Sequence, residues 1–185
     1  MKGFQKSHKN NDEKAILDRI LEMRRGTQCT KFVGAATIEL LRSEFMKLGL
    51  NVSNRDIFIM AVPCELDLAI ARPGRSPEAN LVYDANDVLA VLEIKFRGSY
   101  GKSSIDDIRR VFDLVKKANA RIECLYVSVS ENKRYKYRIT RENLGYECYE
   151  LLTRSTNLES ALKRGDIKPT GDWERLLQKL MSLSF

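Results

Sequence analysis

Glu93 and Lys95 stand two positions apart in the run Ala90-Val-Leu-Glu-Ile-Lys-Phe96. In a strand, residues i and i+2 share a face, so a carboxylate and an ammonium project side by side while Leu92, Ile94 and Phe96 go to the other face. A charged pair in an otherwise apolar strand is costly to bury unless it is paired or used. Upstream lies a second alternating run, Glu65-Leu-Asp-Leu-Ala-Ile-Ala71, which predicts Glu65 and Asp67 on one face and Leu66, Leu68 and Ile70 on the other. If the two strands pair, Asp67, Glu93 and Lys95 converge. Taken alone, a Glu-x-Lys is more often a half-exposed strand than a site. The single histidine, His8, stands in a polar N-terminal segment. Chemistry that needs a placed imidazole is thereby excluded, which leaves carboxylates, lysine and a metal.

The elements that must position these residues alternate between helical and strand periodicity. Residues 1–11 read as a loose polar arm, followed by a helix capped at Asn11 or Asp12 that runs to about Arg25 and ends at Gly26. A second helix, from about Lys31 to Leu48 and stopped at Gly49, has Gly34, Ile38, Leu41, Phe45 and Leu48 as its main stripe. Phe32, Ala35 and Met46 add a second apolar flank, which predicts a largely buried helix. Strands follow over Arg55–Val62, interrupted by Pro63, and over the Asp67 run, ended by the Arg72-Pro-Gly-Arg turn. Leu81-Val-Tyr83 extends that hairpin, Asp84 to Asp87 turn the chain, and the Glu93 strand comes next. A helix capped at Ser103 or Ser104 then buries Ile105, Ile108, Val111, Phe112 and Val115 and leads into a strand over Arg121–Ser130. Strand, helix and strand in this order make a parallel crossover, so the sheet is expected to be mixed. Tyr146–Leu152 reads as a further strand. Helices near Asn157–Arg164 and Gly171–Leu183 close the chain, the second presenting Trp173, Leu176, Leu177 and Leu180.

With 185 residues, the chain is expected to form a single domain over 1–185, its core at 31–130 and a basic segment with C-terminal helices at 131–185. The net charge of +7 and isoelectric point near 9.3 favour a polyanionic partner. Between Glu131 and Glu142, Lys133, Arg134, Lys136 and Arg138 alternate with Tyr135 and Tyr137. This stretch suits phosphate pairing and base stacking, and a solvated edge equally well. Cys29, Cys64, Cys124 and Cys148 are too dispersed for a Cys-x-x-Cys metal signature and read as reduced thiols. No apolar run is long enough to span a bilayer and no signal-peptide core opens the chain, so an intracellular, cytoplasmic protein without a membrane partner is expected.

An acid on one strand, Glu-x-Lys on the next, then a helix and a strand: in this order the chain resembles the PD-(D/E)XK nuclease superfamily, with the motif split as Asp67 and Glu93-Ile94-Lys95. The resemblance covers roughly residues 31–130 and reaches toward the Holliday-junction-resolvase-like members; Cys64-Glu65 stands where a Pro-Asp often precedes. It implies an α/β restriction-endonuclease-like core of α-β-β-β-α-β order, with helices added at both ends. The implied activity is metal-dependent endonucleolytic hydrolysis of DNA, with a homodimer as one admissible assembly. Mg²⁺ or Mn²⁺ would be held by Asp67, Glu93 and the carbonyl of Ile94, while Lys95 would position or activate water or neutralise phosphate charge. The first helix of the superfamily often adds a carboxylate. Glu39 is favoured for it here over Glu44. Arg97 and Lys102 join the basic residues above as expected DNA contacts. The competing class is a non-catalytic nucleic-acid-binding module that keeps this fold.

Overall fold

The apolar-striped helix expected before Gly49 is α1, Thr30–Lys47, in a computed structural model that describes residues 15, 18, 19, 22, 30–97, 99–100, 102–130, 137–151 and 170–183. Gly49 ends it in the left-handed region (φ 79°), with the Gly49 N–H donating to the Met46 carbonyl at 3.0 Å. Ile38, Leu41 and Phe45 are buried as the stripe predicts. The second flank is not: Phe32, Met46 and also Leu48 are exposed, because one side only of α1 meets the sheet among the described residues.

Among the described residues ten strands follow, in part as read: β1 (Asn51–Val52), β2 (Ile57–Ile59), β3 (Val62–Leu66), β4 (Leu68–Ala71), β5 (Val82–Tyr83), β6 (Val88–Arg97), β7 (Ser99–Tyr100), β8 (Glu123–Ser130), β9 (Tyr137–Arg138) and β10 (Glu147–Glu150). Helices α2 (Lys102–Ala118), α3 (Arg141–Leu144) and α4 (Asp172–Ser182) complete the described elements. The main sheet has five strands in the order β1-β4-β6-β8-β10. β4 is antiparallel to both β1 and β6, whereas β6, β8 and β10 run parallel, so the sheet is mixed as expected. Helix α2 makes the crossover from β6 to β8 and buries Ile105, Ile108, Phe112 and Val115. It starts at Lys102, before either serine expected to cap it.

Two predicted strands are each broken, for reasons that alternation does not encode. Arg55–Val62 is a hairpin: the chain turns at Met60 and Ala61, the latter at φ 69°, and β3 pairs back on β2. Pro63 therefore sits within β3, an edge strand of a small sheet ordered β3-β2-β5, where no ladder hydrogen bond is demanded of it on the open side. The run Glu65–Ala71 bends at Asp67 and passes from this small sheet into the main one. Leu66 consequently packs with Ile57 and Ile59, opposite to Leu68 and Ile70 and not beside them. Leu81–Tyr83 also differs from expectation, because β5 pairs in parallel with β2. Asp84 is a turn former as read, its carboxylate accepting from the Asn86 N–H at 2.7 Å.

The main sheet separates two cores. On one face Leu68, Ile70, Leu92, Ile94, Leu125 and Val127 meet Leu41 and Phe45 of α1 and Trp173, Leu176 and Leu180 of α4. Phe45 and Trp173 stack with ring centroids 5.8 Å apart and planes 17° from parallel. On the other face Ala69, Val91, Cys124 and Tyr126 meet α2, α3 and the small sheet. The helix expected near Asn157–Arg164 lies outside the described residues, and of the one ending near Arg25 only residues 15, 18, 19 and 22 are described, all helical.

Candidate active site

Strand β6 sorts its side chains by parity. Ala90, Leu92 and Ile94 enter the core shared with α1, and Val91, Glu93 and Lys95 face the other way. On that second face the sequence changes from apolar to charged at Glu93, as the strand runs past the end of the packed α2 core. The break at Asp67 brings in the partner acid. Its backbone carbonyl accepts from the Asp56 N–H at 3.3 Å, and β4 then pairs with β6 from Leu68↔Leu92 onward. Asp67 Oδ2 accepts the Ile94 backbone N–H at 2.6 Å, a charge-assisted bond that fixes the carboxylate against the middle residue of Glu-Ile-Lys.

Lys95 Nζ lies 2.5 Å from Glu93 Oε1 and 3.3 Å from Asp67 Oδ2. The side chains of Glu93 and Asp67 are only 16% and 18% exposed, against 32% for Lys95, so the acids are recessed and the ammonium lies toward solvent. Burial raises the Glu93 pKa above the usual carboxylate range, the charges of Asp67 and Glu65 add to this, and Lys95 offsets it only in part. Burial disfavours the Lys95 ammonium too, but Glu93 and Asp67 outweigh that effect and hold its pKa above the ordinary lysine range. Two recessed carboxylates, Asp67 and Glu93, thus share one lysine, with the exposed Glu65 adding negative charge near Glu93. Such a recessed oxygen donor set suits a hard divalent cation. Among the described residues no group of three His, Cys, Asp or Glu side chains is arranged to hold a metal. Of the oxygen donors expected for a metal, the strands bring the Asp67 and Glu93 carboxylates together on Lys95 Nζ, with Ile94 bound to Asp67 through its N–H.

Glu39 is not gathered into this cluster. It sits half-exposed on α1, which covers the opposite face of the sheet, and its carboxylate lies 3.6 Å from Arg42. The charges that shift Glu93 do not include it. Glu44, the alternative, pairs with Lys47 at 2.7 Å and with Arg19 at 3.4 Å. Arg97 ends β6, Lys102 opens α2, and Arg138 lies in β9, paired with Ser99 of β7. Lys133, Arg134 and Lys136 lie outside the described residues.

Two residues near the cluster escaped the sequence reading. In register, Tyr126 of β8 stands beside Glu93 and Ser128 beside Lys95, both buried. Their spacing in Tyr126-Val-Ser128 repeats that of Glu93-Ile-Lys95, but only the pairing register shows that the two couples are neighbours. Arg109 of α2 reaches α3, where its guanidinium donates to the carbonyls of Asn143 and Leu144.

No protein-family model matches the chain, and neither does any curated protein. Among solved structures it is similar to P. aeruginosa ATCC27853 NucC in its cAAA-bound form, with a TM-score of 0.63 over 93% of this chain and 88% of that one, at 9% identity. Similarity at that identity is a similarity of fold. Together with the mixed sheet and its flanking helices, it identifies the architecture as restriction-endonuclease-like, a nuclease-like fold.

Proposed function

We propose that the protein is a metal-dependent endonuclease that hydrolyses phosphodiester bonds in DNA through Asp67, Glu93 and Lys95. The observation that carries this reading is the locking of Asp67 Oδ2 to the Ile94 N–H while Lys95 Nζ reaches both carboxylates. The nuclease-like fold and the charge of +7 support it. Asp67, Glu93 and the Ile94 carbonyl would hold Mg²⁺ or Mn²⁺, which when bound supplies a polarised water and charge stabilisation at the phosphate. Lys95 carries its proton, held by the two acids, and so acts as a donor that orients the attacking water or a phosphate oxygen. The Ile94 N–H keeps Asp67 from swinging away when Lys95 turns to substrate. Cleavage of both strands of a duplex would take two copies of the site, hence a homodimer.

The reading is tested by incubating supercoiled plasmid and a branched junction with wild type and Lys95→Ala, each with Mg²⁺, with Mn²⁺ and with chelator. Cleavage that needs the metal and falls by about 10²–10⁴-fold in the variant is expected. Equal DNA binding by both proteins with no cleavage by either would instead favour the binding-module reading.

A further inference from the structure

A cavity of about 250 Å³ opens at the carboxyl ends of β8 and β10, walled by Tyr126, Ser128, Thr140, Arg141, Cys148 and Glu150 among others. Its place relative to the catalytic cluster follows from register. Lys95 pairs with Ser128, and Ser128 with Glu150, so the three residues form one row across the parallel strands on a single face of the sheet. Neighbouring strands are about 4.8 Å apart, so the near wall of the cavity is one strand from Lys95 and the far wall roughly 10 Å away. Stacked nucleotides advance about 3.4 Å along a strand, so a phosphate at Lys95 would leave an adjacent nucleotide within reach of the cavity.

We infer that this cavity receives one unstacked nucleotide of the strand being cut, so that the enzyme prefers DNA with an unpaired position beside the scissile phosphate. This rests on the nuclease reading above and names the substrate form for the same site. Size favours a single base: the volume is below the roughly 300–1,000 Å³ of pockets that take drug-sized ligands. The lining matches a base in kind. Ser128, Thr140 and Glu150 carry donors and acceptors for its edge, and Arg141 stands exposed for a phosphate.

The walls are held in place before any ligand arrives. Thr140 caps α3 in a reciprocal capping box with Asn143, the Arg109 guanidinium ties α3 to α2, and Asp172 Oδ2 accepts the Glu150 N–H at 2.9 Å. A base stacked inside intact duplex cannot enter such a recess, and an unpaired one enters at lower cost because its unstacking is already done.

The test measures binding of a short labelled duplex by fluorescence anisotropy in chelator, with and without one bulged nucleotide, for wild type, Cys148→Ala and Cys148→Phe. The bulge should tighten binding about 5- to 100-fold in wild type and Cys148→Ala, and not in Cys148→Phe, whose ring fills the cavity. Independently of whether Cys148→Phe folds, the bulged duplex should slow alkylation of Cys148 by N-ethylmaleimide in wild type, and the perfect duplex should not. Equal affinity for the two duplexes, a preference that survives in Cys148→Phe, or equal alkylation would overturn the inference. Plasmid nicking with Mg²⁺ is scored in parallel. Nicking without bulge preference sinks the cavity and leaves the nuclease standing, whereas bulge preference and protection without nicking leave the cavity and sink the hydrolysis.

Discussion

The two faces of the five-stranded sheet are built from the same strands and behave as opposites. Toward α1 and α4, the buried positions of β6 and β8 are apolar, from Ala90, Leu92 and Ile94 to Leu125, Val127 and Val129, and only the half-exposed Glu123 at the start of β8 carries a charge there, paired with Lys179 of α4. Toward α2, the same strands begin apolar at Val91 and Cys124 and end in Glu93, Lys95 and Ser128. One face therefore supplies stability and the other gives up part of its apolar burial to hold charge. Recessed charge is tolerated there because each group has a partner: Ile94 N–H for Asp67, both acids for Lys95.

This division makes substitutions on the two faces separable. The largest effect on stability is expected for Phe45→Ala, which empties a fully buried position and removes the stack on Trp173. A loss of about 3–5 kcal/mol in urea unfolding is expected, with catalysis per folded molecule unchanged. A small loss would mean that α1 is not part of the stable face.

The second comparison is alkaline. Burial pushes the Cys124 thiol up to about 12 on the α2 side of the sheet. The raised folded value means that its contribution is fully present below the thiol's ordinary pKa of 9.0 and is lost as pH rises through about 12. Unfolding midpoints should fall across that window, and Cys124→Ala should flatten the slope there. An unchanged slope would contradict the burial assigned to the thiol.

Smaller effects concern the breaks between sheets and the rim of α1. Ala61 holds φ 69° in the β2–β3 turn, so Ala61→Gly should raise stability by about 0.5–1 kcal/mol in the same unfolding assay. A decrease would argue against the left-handed turn. Glu39→Gln removes only an exposed pair with Arg42 and should change metal-dependent cleavage by less than about threefold. A hundredfold fall would place Glu39 in the metal site and not at the rim.

What could be read from the sequence follows from which signals are local. The parity of Glu93, Ile94 and Lys95, the α2 stripe and the parallel crossover depend on spacing within a segment, and the structure has them as read. The bend at Asp67 does not announce itself, because Leu66, Leu68 and Ile70 keep perfect alternation while the chain changes sheets and Leu66 changes sides. The hairpin at Met60-Ala61 has no Gly or Asn to mark it, and a non-glycine residue takes the positive φ. Neither the β5–β2 pairing nor the row Lys95–Ser128–Glu150 can be seen without register, since both join residues far apart in the chain. The preference for Glu39 over Glu44 rests on the family resemblance and not on periodicity, and in the structure Glu39 lies half-exposed beside Arg42.

The most direct measurement of the central claim is the rate of Mg²⁺-dependent plasmid nicking by Asp67→Asn against wild type, with urea midpoints recorded on the same preparations. Asparagine keeps an oxygen for the Ile94 N–H and loses the charge, so a rate lower by about 10²–10⁴-fold at an unchanged midpoint is predicted. Equal nicking by the two proteins would contradict the assignment of Asp67 to the catalytic centre.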